Sequence, residues 1–505
     1  MIFSAYWYVD TLILLVTAVY LLYKYTSRKY DYWAKRGFTF IPPKPFFGNF
    51  YEISTFQITI GEYLAKLYNS TKEPFFGIYV FNKPCLVIRD PELVKHVLVK
   101  DFNYFGDRTL SDCEHDQIAH NMLFLLKNPE WKTMRKLLTP VFTSGKLKAM
   151  FPMIEEIGTE MNKYISKRLD MDVVESKEIC AKYSTDVIAK CAFAINAHSF
   201  DNENADFRRV GKTAFDFTWS NAIQQTSFFF LPELVKLFKF KFINSYATDF
   251  LREVFWKALL HREATNLKGN DLIDRLVDLR KDKEFVKAVK FEGDKVVSPA
   301  TQFFLAGFET TSSTIAFCMY ELCIQPNIQH KLRDEIHKTI KKHNGLTYEA
   351  IMDMKYLNMC ICETLRMYPV LPFLDRNTEM DYKIPGTDKI LEKGTPVYIP
   401  MFGLHYDPEY FPDPKKFDPE RFSDENVSKL TSFSYIPFGE GPRICIGERF
   451  GLLGTKVGLA KIISEYELIK IKETPVPLVY EQKSFILASK TGIPLKFKKC
   501  VSHAA

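Results

Sequence analysis

The chain has 505 residues, 47% apolar and 26% charged, an ordinary globular composition that can bury a sizeable core. Its net charge of +7 is modest for this length and comes with no nucleic-acid motif, so no nucleic acid is expected as partner. Ten cysteines run from Cys85 to Cys500 without framework spacings, which excludes a disulfide scaffold and points to a reducing, cytosol-facing environment.

From Ile2 to Tyr23 the chain is mostly apolar, and Lys24, Arg28, Lys29 and Lys35 follow. As a helix this stretch extends about 33 Å, enough to cross a bilayer core. The start carries no basic residue, so a retained anchor is favoured over a cleaved secretory signal. The basic collar places the rest of the chain on the cytoplasmic side. Asp10 lies within the span, where a carboxylate at the helix centre costs about 2.5–3.5 kcal/mol. Either Asp10 sits near the interface or the helix is shorter and tilted; a buried terminal core helix is the alternative. Pro42, Pro43 and Pro45 then make a stiff extended connector. The expected division is residues 1–23 as anchor, 24–48 as basic collar and proline-rich hinge, and 49–505 as one large domain.

Helical patterns dominate from Gly61, broken by strand-like pieces at Phe76–Phe81, Leu86–Ile88 and Thr395–Ile399. The expected class is mainly α with small β-sheets. Leu231–Phe242, which mixes large apolar residues with lysines, reads as an interfacial element or as a partly buried helix. Trp131 and Arg135, four apart, share a helix face and together offer an indole N–H and a guanidinium to a carboxylate; a snorkelling arginine is the plainer reading. Ala306–Thr311 lies inside a long helical pattern, roughly residues 298–324. A mid-helix glycine costs about 1 kcal/mol against alanine, so Gly307 needs a reason such as close approach by a planar ligand. Glu309 and Thr310 beside it form either a proton relay or a softened helix turn.

Glu363 and Arg366 share a helix face between apolar flanks, and Arg421 is a candidate third member that would make burial of the pair tolerable. The last motif is Pro437–Gly447, in which glycines and prolines crowd Cys445 just before a helical run from Glu448. A helix start favours thiolate over thiol. No CxxC or HxxxH pattern lies near it, and a single axial thiolate on haem iron needs only one protein ligand. A small buried hydrophobe is the alternative for any one cysteine.

Together these stretches resemble cytochrome P450, the haem-thiolate monooxygenases. Phe438–Gly447 resembles the family's cysteine loop, F-x-x-G-x-R-x-C-x-G, and Glu363–Arg366 its ExxR pair. Pro419–Phe422 resembles the segment carrying the triad arginine, Ala306–Thr311 the oxygen-activation stretch, and Trp131–Arg135 its W-x-x-x-R. The anchor and hinge are similar to the microsomal branch, and FGEGPRICIG with AGFET is most similar to insect xenobiotic-metabolising members.

The resemblance implies the P450 fold behind an N-terminal membrane-anchor helix, heme b as cofactor and residues 49–505 as the haem-binding domain. It implies Cys445 as axial ligand, whose electron donation favours O–O cleavage. Glu309 and Thr310 would deliver protons. Arg108, Trp131, Arg135, Arg376 and Arg443 would hold the propionates, and Gly307, Phe438 and Gly447 would line the cofactor. Glu363, Arg366 and Arg421 would be structural.

No flavin or dinucleotide fingerprint is present, so electrons would come from an NADPH-cytochrome P450 reductase, with a b-type cytochrome as a second candidate donor. Lys132, Lys136 and Arg449 are candidates for the face it meets, against ordinary solvated cations. The implied location is the endoplasmic reticulum membrane, facing the cytoplasm. Pocket walls are expected near Cys113–Leu123, Trp219–Phe230, Phe303–Phe304, Val370–Phe373 and Phe485–Leu487, apolar enough for a lipophilic xenobiotic, hormone or fatty acid. A haem-based sensor or lipophile-binding protein without turnover is the competing function.

Overall fold

The computed structural model describes residues 7–269 and 271–500; residues 1–6 of the expected anchor lie outside them. The chain forms two compact units. The smaller takes the chain up to Thr109 with Phe373–Leu404, and the larger takes Leu110–Pro372 with the chain from His405.

In the smaller unit, helix α1 (Trp7–Ser27) buries none of its residues. Its 21 residues span about 31 Å, long and apolar enough to cross a membrane. Asp10 stands in its first turn, beside the helix's N-terminal N–H groups, and not at the centre.

After α1 the chain folds onto a sheet. Trp33 is fully buried and its indole N–H donates to the Ile78 carbonyl at 3.0 Å. Gly77 makes room for that ring: a Cβ there would sit 2.5 Å from it. The sheet contains β1 (Phe75–Val80), β2 (Lys83–Ile88), β3 (Phe373–Asn377) and β4 (Pro396–Pro400), in the order β1-β2-β4-β3. The β2–β4 pair is parallel and the other two are antiparallel. Three of these strands fall where apolar runs predict them. The fourth, β3, escapes because Asp375 and Arg376 interrupt its apolar pattern, yet both are buried, Asp375 paired with Arg108 and Arg376 bonded to the Asp375 carbonyl.

The larger unit is built on helices, with one small sheet of Val174–Glu175, Pro494–Lys499 and Tyr466–Ile469. In chain order its site-bearing helices are α2 (Glu130–Leu138), α3 (Ser176–Phe193), α4 (Asp206–Ala214), α5 (Trp219–Phe230), α6 (Asp294–Ile324), α7 (Lys355–Met367) and α8 (Glu448–Glu465). The 31 residues of α6 run about 46 Å and are buried along nearly all of it. A helix that is apolar on every side must be surrounded. Packing against α6 are α3, α4, α7 and α8. The crossing with α3 is close: Ser184 Oγ donates to the Phe308 carbonyl at 2.8 Å, and a Cβ on Gly307 would lie 2.9 Å from Ile188. The crossing with α8 sets Thr311 against two glycines, its nearest atoms 3.9–4.0 Å from where a Cβ on Gly454 or Gly451 would be. Mainly α with small sheets is what the structure shows.

Candidate active site

Two glycines bend the cysteine loop. Gly439 and Gly441 both have φ of +73°, the left-handed region where a side chain is strained. The bend lets the Cys445 N–H donate to the Phe438 carbonyl at 2.9 Å, closing the loop on itself. Gly447 is the N-cap of α8 at an ordinary φ of −95°. Cys445 is exposed, while Cys85, Cys180 and Cys318 are buried and burial pushes their thiols up to about 12. Those three are inert apolar packing; Cys445 is presented.

Cations gather behind it. Arg135 on α2 donates to the Ile444 carbonyl at 2.7 Å, one residue from the cysteine. Burial pulls its guanidinium below the ordinary range, and the Cys445 sulfur partly offsets that. Arg443 is buried, donates to the Leu126 carbonyl at 3.1 Å, and lies 4.2 Å over the Trp131 ring. Trp131, Arg135, Arg443 and Cys445 therefore form one constellation, although α2 and the loop are far apart in sequence.

The stretch Ala306–Thr311 lies on α6, where Thr311 meets Gly451 one turn into α8. Gly307 has a helix-packing reason in Ile188 of α3, 2.9 Å from where its Cβ would be. Ala306 is exposed in the middle of this otherwise buried helix. Thr310 Oγ donates back to the Ala306 carbonyl at 2.6 Å. Glu309 is buried, 2.9 Å from the Lys177 ammonium of α3.

The donor set suits haem. Cys445 offers one soft sulfur, Arg135 and Arg443 bring cations beside it, and a Cβ on Gly447 would meet nothing within 4 Å. Among the described residues no three His, Cys, Asp or Glu side chains gather to hold a metal ion by themselves. One thiolate flanked by guanidiniums fits haem iron and its propionates. Residues 39–496 match the sequence model of the family described as Cytochrome P450. The chain belongs to the cytochrome P450 family. It is 41% identical to Cytochrome P450 6k1 of Blattella germanica, with 98% of each chain covered. It is also 41% identical to Probable cytochrome P450 6g2 of Drosophila melanogaster, over 96% of this chain and 98% of that one. A third relative, Cytochrome P450 6j1 of Blattella germanica, is 39% identical over 97% of this chain and 98% of its own. The likeness to insect members holds. The protein is a P450 monooxygenase, an oxidoreductase, and heme b is its cofactor.

Within this P450 the ExxR pair is fully buried. Arg366 grips both oxygens of Glu363 at 2.8 Å and donates to the His405 carbonyl at 2.8 Å. Glu363 also accepts from Arg421 at 3.3 Å and from the Asp418 N–H at 2.9 Å, so the third partner expected at Arg421 is present. His405, a lone histidine without local pattern, is a residue that sequence reasoning missed. Its Nε2 accepts from the Ile436 N–H at 3.2 Å, so Nδ1 carries the proton toward the Arg366 carbonyl 3.1 Å away. A neutral imidazole thus ties α7 to the base of the cysteine loop.

Burial, with the Arg366 charge adding to it, pushes His405 down to about 3. The unfolded imidazole titrates near 6.5, so below that pH the unfolded chain binds a proton that the folded chain refuses. The stabilisation is complete above about pH 6.5 and falls by about 1.4 kcal/mol per unit as pH drops toward 3. His405→Phe should lose about 1–3 kcal/mol at neutral pH through its two hydrogen bonds and should flatten that slope. Denaturant titrations of both proteins from about pH 7.5 to about pH 4.5 check this; equal slopes would contradict it.

Arg108 and Arg376 lie in the smaller unit, where both engage Asp375. Arg108 Nη1 is 3.1 Å from its carboxylate and Arg376 Nη1 donates to its backbone carbonyl at 2.7 Å. Burial would raise the Asp375 carboxyl, but Arg108, Thr109 and Arg376 hold it below the usual range. Phe373, the last residue of one expected pocket wall, belongs to the same unit.

Aromatic walls meet in the larger unit. Phe229 of α5 stacks on Phe485 at 3.8 Å and 16°, and Phe124 meets Phe229 edge-on at 6.3 Å. The Leu487 N–H donates to the Val370 carbonyl at 2.9 Å, and the Ser111 N–H to that of Phe228 at 2.9 Å. Phe303 and Phe304 differ from expectation: Phe303 packs on Phe142, and Phe304 on Phe193 and Phe207, inside the helical core.

Proposed function

We propose that the protein inserts one atom of O2 into lipophilic small molecules, such as plant toxins, insecticides, hormones or fatty acids. The observation that carries this is the exposed Cys445, backed by Arg135, Arg443 and Trp131 in one constellation. Cys445 would be the thiolate ligand, Trp131, Arg135 and Arg443 would hold the propionates together with Arg376 and Arg108, and Gly307, Phe438 and Gly447 would line the cofactor. Haem with an axial thiolate supplies O–O cleavage when bound. Glu309 and Thr310 would supply protons for that chemistry from a carboxylate and a hydroxyl.

Electrons would come from NADPH through a flavoprotein reductase, with a b-type cytochrome as second donor. Lys132, Lys136 and Arg449, all exposed in the larger unit, support a basic face toward an acidic partner. Residues 1–23 would anchor the protein in the endoplasmic reticulum membrane with residues 49–505, the haem-binding domain, facing the cytoplasm. The exposed Lys24, Arg28, Lys29 and Lys35 of the 24–48 collar support that orientation. Leu237 and Phe238, 71% and 61% exposed, support contact of the Leu231–Phe242 segment with lipid. The Phe124, Phe229 and Phe485 cluster supports an apolar substrate recognised by shape and stacking.

The test is turnover of a panel of steroids, fatty acids and plant allelochemicals with reductase and NADPH. Oxygenated product is expected; its absence across the panel, with haem bound, would leave a sensor or carrier of lipophiles instead. Thr310→Ala should keep NADPH oxidation but cut product per NADPH about tenfold. Unchanged coupling would remove Thr310 from the relay.

A further inference from the structure

The first turn of α3 carries Lys177, whose ammonium reaches two residues of α6. It lies 2.9 Å from Oε1 of Glu309 and donates to Oγ of Ser312. The same Glu309 oxygen accepts from Ser313 Oγ at 3.3 Å, and Ser312 also donates to the Glu309 carbonyl at 3.0 Å. Thr310, the neighbouring hydroxyl, is held by the Ala306 carbonyl of its own helix. The acid and the alcohol are therefore fixed by different partners, the acid by a separate helix.

Glu309 is 8% exposed, and a carboxylate buried that deeply stays ionised in place only beside a cation. Lys177 is that cation. A quarter of its side chain is exposed, so the ammonium joins the buried carboxylate to solvent. Its own position is tightly set. The Lys177 N–H donates to the Glu175 carboxylate that caps α3, at 3.0 Å. The next residue, Glu178, is gripped on both oxygens by Arg208 of α4, through Nε at 2.9 Å and through Nη2. The Arg208 guanidinium in turn lies 5.4 Å over the ring of Phe308, which precedes Glu309. The first turn of α3 is thus clamped between α4 and the Phe308–Glu309 step of α6.

We infer that Lys177 is a positioning residue for Glu309, an inference that rests on the Glu309–Thr310 relay proposed above. Lys177 holds the carboxylate in place at the solvent-connected end of the relay, where it takes up a proton bound for the Thr310 side of α6. Without the ammonium the buried carboxylate loses the partner that holds it, and proton supply is interrupted.

The test uses the full-length holoenzyme with reductase, NADPH and a panel lipophile that wild type oxygenates. Lys177→Met should lower product per NADPH about fivefold or more while the reduced carbon monoxide band and substrate-binding spectrum stay unchanged. Lys177→Arg should restore coupling to within about twofold. A readout independent of turnover is denaturant unfolding: Lys177→Met/Glu309→Gln should lose less stability than the two single variants summed. Additive losses would overturn the pairing. If Glu309→Gln uncouples and Lys177→Met does not, Lys177 is no positioning residue and the relay stands. If Glu309→Gln remains fully coupled, the relay falls and the role of Lys177 with it.

Discussion

Cys445→Ala is expected to abolish the carbon monoxide spectrum of a thiolate-ligated haem and, with it, all oxygenation. Residue 445 serves the loop through its backbone, which the change to alanine leaves in place. Its backbone N–H closes the loop on Phe438, and the side chain is exposed. The variant should therefore fold with a stability change within about 0.5 kcal/mol, as for an exposed site away from packing. The buried thiols are no substitute: Cys85, Cys180 and Cys318 are fully buried and pushed up to about 12. Reduced carbon monoxide difference spectra, with circular dichroism as the folding control, decide the matter. A folded variant that keeps the wild-type band would overturn the assignment of Cys445 as ligand.

The second large effect is structural. Arg366→Met strips the guanidinium from Glu363, leaving a fully buried carboxylate with only Arg421 and the Asp418 N–H. Breaking a buried pair from one side costs about 3–5 kcal/mol. That is a large part of the 5–15 kcal/mol, roughly, that holds a folded domain together. The variant also drops the Arg366 bond to the His405 carbonyl, and His405 is what links α7 to Ile436 at the base of the cysteine loop. The expected result is little or no soluble holoprotein. Glu363→Gln/Arg366→Met should recover part of the loss, because neither partner is then left charged and alone. Yield of haem-loaded protein and denaturation midpoint measure both. A stable, haem-loaded Arg366→Met protein would show that the pair is dispensable.

Much of this site is readable along the chain because its parts are local. The glycine and proline spacing around Cys445, the four-residue step from Trp131 to Arg135 and the three-residue step from Glu363 to Arg366 each act within one loop or turn. Other parts are invisible there. His405 carries no periodic signal; its importance comes from Arg366 and Ile436, which only folding brings to it. Gly307 announces that something comes close, but that it is Ile188 of α3 depends on a helix crossing. Strand β3 hides because Asp375 and Arg376 spoil its apolar pattern, and burial of the Asp375 carboxylate is tolerable because Arg108 and Thr109 meet it.

By itself the sequence determined that a thiolate is presented beside glycines before a helix, that an acid and an alcohol stand next to each other in a long buried helix, and that an apolar segment precedes both. Tertiary structure alone decided what each of these groups faces. Glu309 meets Lys177 and not Thr310, and Arg135 meets the carbonyl beside Cys445. The reason is physical: periodicity and turn chemistry act over a few residues. The partner of a buried charge is chosen by which helices pack together, and that choice is spread over contacts far apart in the chain.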